Sequence, residues 1–369
     1  MANNITSPLN TPPHQQISPL TSIRAIAILC ISALHYRGIM EPVDLDYLNT
    51  LLRWAFVGLN LFFILSGFIL CYVYNSAFVV DKPFGKSLKR FYISRFMRVH
   101  PLHIIVMSSM VILAFVGITT LYEHDTALNF FGHFFLIHGF GIDIPHGWNP
   151  PSWSVGTELL FYIFFPFLAF LTQKVTSSFI ISVATITLCT LLYHYTDTRM
   201  LYLPHPELHK WIIDVPCALM NCLLGMLLAK LYLNRFLSHL DLDYIMFLTC
   251  ILWILAFAYQ GSEATMFIFF PLLSLGLRYV KGFFYHLLSW KPLVRAGEAS
   301  YSLYLWHTPY MIVFLTFAYR MGFTNEQGDL SWYSLLFAFP LLIILSISSH
   351  DAIEQPFRLI TKRYINRRS

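Results

Sequence analysis

The sequence predicts an all-α, polytopic integral membrane protein of about ten transmembrane helices with both termini in the cytosol. Three observations carry that expectation: an apolar composition, apolar runs that recur at bilayer length, and a lopsided distribution of Lys and Arg. Of 369 residues, 57% are hydrophobic and 12% charged, whereas soluble domains run near a quarter charged. Mean hydropathy is +0.60. Ten segments of roughly 20 residues consume about 200 residues, which leaves short loops and no room for a separate soluble domain. The same composition excludes disorder. The six cysteines all fall in apolar stretches, so they read as packing residues and not as a disulfide framework.

The apolar runs cover residues 23–39, 54–74, 102–120, 154–171, 179–193, 211–233, 244–259, 264–280, 301–319 and 332–349. A weaker stretch, 128–140, is interrupted by Gly132, His133 and His138. It reads as a re-entrant or interfacial helix, not as an eleventh span. With ten spans and the N-terminus inside, eighteen of the 24 Lys and Arg fall on inside segments and five outside, with Arg24 at the start of the first span. That bias follows the positive-inside rule. It also accounts for the net charge of +5 without a nucleic-acid partner. Residues 1–20 read as a flexible polar tail without a cleavable signal, 21–356 as the membrane domain and 357–369 as a basic cytosolic tail. No internal repeat is evident.

Ionisable groups inside spans are costly and mark function by default, which singles out Arg24, His35, Glu158, Asp214 and His307. Arg24 and His35 are eleven residues apart. At 100° per residue they share a helix face, roughly 16 Å apart along the axis. This places the arginine near the cytosolic mouth and the histidine about halfway through the bilayer. Such a pair suits an anion held at one end and proton chemistry deeper in. Snorkelling of Arg24 and a plain hydrogen-bonded contact for His35 are the bland alternatives. Arg95 and Arg98, one turn apart, face the same way and suit phosphate oxygens; the bland alternative is topology. Gly58, Ser66 and Gly67 read as close-packing positions in residues 58–68.

Further along, Glu158 stands about one turn into the fourth span, where a buried carboxylate can orient a histidine, stabilise a cation or simply pair with an arginine. Glu298 precedes the ninth span. Within that span Tyr301, Tyr304 and His307 repeat at i, i+3 and i+6 and form a polar stripe, lining a cavity or bonding to a neighbouring helix. Glu354 and Pro356 read as the stop of the last helix, followed by a basic anchor. The histidines His124, His133, His138 and His146 lack metal-ligand spacing, so no metal is expected.

Taken in order, these motifs resemble the acyltransferase-3 family of integral membrane acyltransferases. The family's Arg-x10-His is similar to Arg24 and His35, its Phe-Phe-x-x-Ser-Gly-Phe segment to residues 58–68, and its Arg-x-x-Arg to Arg95 and Arg98. Its Trp-Ser-x-x-x-Glu segment looks like 153–162, its Ser-Tyr-Ser-Leu-Tyr-Leu-x-His like 300–307, and its Glu-x-Pro like Glu354 and Pro356. Asn60 stands where many members carry aspartate. With nothing like the esterase domain after the last span, the chain resembles the stand-alone branch.

The resemblance implies an O-acyltransferase, most often an O-acetyltransferase, that moves an acyl group from cytosolic acyl-CoA (acetyl-CoA foremost) to a hydroxyl of a glycan or lipid-linked saccharide. On that expectation His35, Arg24 and Glu158 are catalytic, with His35 as general base, and Arg95, Arg98, Ser66, Tyr301 and His307 hold the donor. A multi-span transporter is the main competing reading, because buried charges also suit transport. A haem protein with histidine ligands is a further one.

Overall fold

The protein is described from a computed structural model over residues 18–42, 57–78, 83–118, 126–140, 147–172, 180–181, 184–185, 188, 214–234 and 282–367. Among these residues the chain is helical, with isolated bridges from Leu330 to Met40 and to Thr324. Helix α1 is Ser18–Tyr36, continued by a 3-10 turn at Arg37–Ile39; α2 is Val57–Tyr74 and α3 Phe84–Phe115. The short α4, Ala127–Phe134, is followed by α5, Trp153–Leu171, and α6, Val215–Leu233. Then come α7, Gly282–Leu288, α8, Lys291–Glu298, and α9, Ser300–Arg320. Helix α10, Leu335–Ser349, passes through a π-helical turn at His350–Glu354 into α11, Gln355–Arg367.

Among the described residues, six helical stretches are long and apolar enough to cross a membrane: Ser18–Ile39, Gly58–Ala77, Phe84–Phe115, Pro150–Leu171, Val215–Leu233 and Trp332–Arg367. Helix α9 matches them in length at 21 residues, but its first half carries Ser300, Tyr301, Ser302, Tyr304, His307 and Thr308. The expected spans 244–259 and 264–280, and 179–193 apart from isolated positions, lie outside the described residues. Residues 128–140 form a short helix and a 3-10 turn instead of a span.

Two expectations are corrected. The third helix does not start with its apolar run at 102: α3 begins at Phe84 and runs 32 residues, since nothing between Gly85 and Pro101 breaks a helix. Pro101 itself sits inside it. Nor does Pro356 end the last helix. The widened π-turn just before it resets the hydrogen-bond ladder, so the proline falls at the second position of α11, where a missing N–H costs little.

The tightest pairing joins α2 to α6. A Cβ on Gly67 would lie 1.9 Å from the carbonyl oxygen of Cys222, and one on Gly225 would lie 1.9 Å from that of Ile64. Only glycine allows this backbone approach, the small-residue packing that apolar helices use when lipid gives them no hydrophobic reason to associate. Asn221 adds a 2.8 Å hydrogen bond to Oδ1 of Asn60 across the pair. Lys230, buried in α6, donates to the carbonyl oxygens of Ala169 at 2.7 Å and Thr172 at 2.6 Å. It thereby satisfies the open carbonyls at the end of α5.

Candidate active site

The start of α1, the last turns of α2, the middle of α3, the junction of α8 with α9 and the π-turn meet at one end of the bundle. Gly297 makes the approach possible: a Cβ there would sit 1.9 Å from the carbonyl oxygen of Thr21. Between these elements lies a cavity of about 400 Å³ whose wall includes Arg24, Arg98, Arg295, Arg358, Glu298 and His350. A second chamber of about 120 Å³ shares Arg24, Ile69, Val73 and Arg98 with it and adds Ser66, Tyr74, Arg95, Glu158 and Tyr162. Five arginines and two carboxylates thus line these two adjoining chambers, which leaves them positive.

Within the inner chamber the groups hold one another. Arg95 donates to the Tyr74 hydroxyl at 3.0 Å and lies over the rings of Tyr74 and Tyr162, 5.0 and 5.8 Å from their centroids. Its charge is thereby steadied by ring faces. Tyr162 donates to Glu158 Oε1 at 2.7 Å. Arg24 lies 5.4 Å above the Phe62 ring, and the buried Nε atoms of Arg24 and Arg95 have no hydrogen-bond partner. Buried guanidinium donors without partners are costly, and an anion in the chamber is the group that would satisfy them.

The outer chamber is braced differently. Arg295 donates to Glu298 at 2.8 Å and to Asp351, tying α8 to the π-turn. Hydrogen bonds to these two carboxylates hold its guanidinium above the usual range. Glu354 accepts from Ser302 and lies 3.5 Å from His350 Nδ1. Arg358 is exposed at the wall.

His35 stands elsewhere. Helix α1 starts at Ser18, five residues before its apolar run, so Arg24 is more than a turn inside the helix. His35 is the next-to-last residue of α1, at the end of the helix opposite Arg24. It is exposed, and its ring lies 5.1 Å from that of fully buried His307, tilted by 44°. On the face between Arg24 and His35 lie Ile28 and Ile31, both buried.

The expected residues therefore separate into two groups. Arg24, Arg95, Arg98, Glu158 and Ser66 line the cavities. Tyr301 and His307 do not: the Tyr301 hydroxyl donates to the Val99 carbonyl at 2.7 Å, and His307 Nδ1 lies 2.5 Å from the Tyr304 carbonyl oxygen. Tyr304 accepts from Ser154 at 2.6 Å and donates to the Pro151 carbonyl. The polar stripe of α9 thus largely bonds helix to helix. Asp214 sits at the start of α6, away from the cavities. Arg295, Arg358 and His350 were missed as site residues, because in sequence a basic residue at a helix end is indistinguishable from a topology charge. On the far side His133 stacks on His138 at 3.8 Å, and Ser152 bonds to His138 at 3.0 Å; His124 and His146 lie outside the described residues.

A helical bundle with apolar, bilayer-length spans and an arginine-lined cavity defines a polytopic membrane protein with a cationic pocket. Residues 20–349 match the acyltransferase-3 family, described as an acyltransferase domain, and the chain belongs to that family. It is 24% identical over 381 aligned positions, 96% of this chain and 57% of the relative, to the "Putative peptidoglycan O-acetyltransferase YrhL" of Bacillus subtilis (strain 168). It is also 24% identical, over 80% of this chain and 49% of the relative, to the "Peptidoglycan O-acetyltransferase OatA" of Listeria monocytogenes serovar 1/2a. The chain spans about half the length of these curated relatives. No solved structure matches it.

Proposed function

We propose that the chain is an O-acyltransferase, foremost an O-acetyltransferase, of the inner or plasma membrane. It moves an acyl group from cytosolic acyl-CoA to a hydroxyl of a cell-surface glycan, exopolysaccharide or lipid-linked saccharide. The observation that carries this reading is the placement of the arginine-lined chambers and His35 along one face of α1. About thirteen bonds separate the diphosphate of coenzyme A from its sulfur. At the ~3.5 Å per three bonds of an extended chain this arm reaches about 15 Å, close to the roughly 16 Å between the Arg24 and His35 positions on α1. Phosphates held by Arg24, Arg98, Arg295 and Arg358 would therefore put the thioester near His35.

In this reading the acceptor hydroxyl gives its proton to His35, the oxygen bonds to the acyl carbon, and the carbon–sulfur bond breaks. The departing thiolate then takes the proton back from His35, leaving free coenzyme A. An imidazole suits both transfers, because its unperturbed pKa near 6.5 lies close to the working pH. The exposure of His35 leaves it open to an acceptor approaching the end of α1 opposite the arginines. Glu158 moderates the positive charge among Arg24, Arg95 and Arg98 instead of serving the histidine.

The test is incubation of purified, detergent-solubilised protein with radiolabelled acetyl-CoA, wild type beside His35→Ala. Donor binding in both proteins, with turnover only in the wild type, is the expected result. Absence of donor binding in folded protein would turn the site into the anion pocket of a transporter.

A further inference from the structure

We propose that His307 is the positioning residue for His35, accepting a hydrogen bond from its imidazole and so fixing which nitrogen of His35 acts as base. The proposal rests on the acyltransferase reading above and adds to it a residue that would act through His35 without touching either substrate.

The tautomer of His307 follows from its surroundings. Nδ1 lies 2.5 Å from the Tyr304 carbonyl oxygen, and a carbonyl can only accept, so Nδ1 carries the proton. Nε2 is then a lone-pair acceptor. It is buried and has no hydrogen-bond partner. A buried acceptor in an otherwise bonded stretch of helix is unfavourable and calls for a donor. The ring beside it is that of His35, at 5.1 Å between centroids, a spacing that admits one N–H···N bond of about 3 Å between facing edges. Tyr36 reinforces the contact, since its hydroxyl donates to the His307 carbonyl oxygen at 3.3 Å; this ties the end of α1 to this turn of α9.

When His35 takes the proton of the acceptor hydroxyl it becomes an imidazolium. The N–H it already directs at the Nε2 lone pair of His307 then carries part of that charge. A neutral imidazole thereby fills the place that a carboxylate fills in a hydrolase triad, and it does so without placing a permanent charge in an apolar bundle. The proton count is unchanged: one proton leaves the hydroxyl, rests on His35 and departs with the thiol, while His307 keeps its own at Nδ1.

Two near-isosteric variants separate this role from a structural one. His307→Gln keeps an acceptor where Nε2 stands and loses the Nδ1 donor; His307→Asn keeps a donor towards Tyr304 and loses the Nε2 acceptor. Transfer from radiolabelled acetyl-CoA by the full chain in detergent should fall about 10- to 100-fold in kcat for His307→Asn, with donor affinity unchanged, and recover most of that loss in His307→Gln. The opposite order, or equal rates in the two variants, would overturn the proposal. Nitrogen-15 NMR of the wild-type protein with labelled histidine gives a second reading independent of any variant. A two-bond nitrogen–nitrogen coupling across the N–H···N hydrogen bond between the two rings is expected, and its absence at a pH where His35 is protonated would also overturn the proposal. Retention of full turnover by His35→Ala is a different failure, because it removes the acyltransferase mechanism and this inference with it.

Discussion

The ammonium of Lys230 lies 2.7 Å from the carbonyl oxygen of Ala169, one helix away, and 2.6 Å from that of Thr172. A buried cation at a helix C-terminus meets both open carbonyls and the negative end of the dipole. Lys230→Met keeps the bulk and strands the carbonyls, each worth about 1–3 kcal/mol when left unsatisfied. Thermal unfolding in detergent should show a Tm lower by several degrees, while acetyl-CoA binding per folded molecule stays at the wild-type level. An unchanged Tm would mean that water serves those carbonyls equally well.

Gly67 and Gly225 make the same argument from sterics. A methyl group at either position would meet a backbone oxygen at 1.9 Å, and backbone cannot yield as a flexible side chain would. Gly67→Ala should force α2 and α6 apart and cost about 3 kcal/mol or more, read as loss of the monodisperse peak in detergent size-exclusion chromatography. Gly85→Ala is the control, because a Cβ there meets nothing within 4 Å; it should elute as wild type.

Much of this was legible in the sequence. Composition and periodicity placed the described spans, because burial in lipid imposes the same apolar length on each. The pairing of Arg95 with Arg98 and the common face of Arg24 and His35 followed from 3.6-residue periodicity. Three things were not legible. Lys230 and Arg358 look like any basic residue at a helix end, and only packing shows that one caps a neighbour while the other faces a cavity. Asn60 gave no sign of its bond to Asn221, which depends on the crossing of α2 and α6. The place of His35 at the last turn of α1 was not legible either, because helix ends are set by caps and contacts, and α1 begins before its apolar run does.

Arg95 and Arg98 looked equivalent in sequence and differ in the structure. Arg95 is occupied by Tyr74 and stacked on two rings, whereas Arg98 borders both chambers. Arg98→Ala should therefore weaken acetyl-CoA binding with little effect on folding. A charge-assisted hydrogen bond of about 1.5–3 kcal/mol corresponds to roughly a tenfold to hundredfold rise in Kd. Arg95→Ala should lower Tm as well, since it also removes a hydrogen-bond donor to Tyr74 and the cation stacked on two rings. Titration calorimetry beside thermal unfolding separates the two, and an identical profile for both variants would contradict the assignment.

Ile28 and Ile31 fill the face of α1 between Arg24 and His35, and both are buried. If the acyl arm runs along that face, these side chains must move aside for it, and a larger one that cannot move should stop transfer without touching the phosphate site. Ile31→Trp places an indole in the path, about one helical turn before His35. Overpacking of this kind costs about 1–3 kcal/mol, so donor binding serves as the test that the variant is folded. Acetyl-CoA affinity should stay within about threefold of wild type while transfer falls by about two orders of magnitude, the loss expected when reacting atoms are held out of line. Transfer at the wild-type rate with binding intact would mean that the donor reaches His35 by another route, and the 16 Å match along α1 would then carry no mechanistic weight.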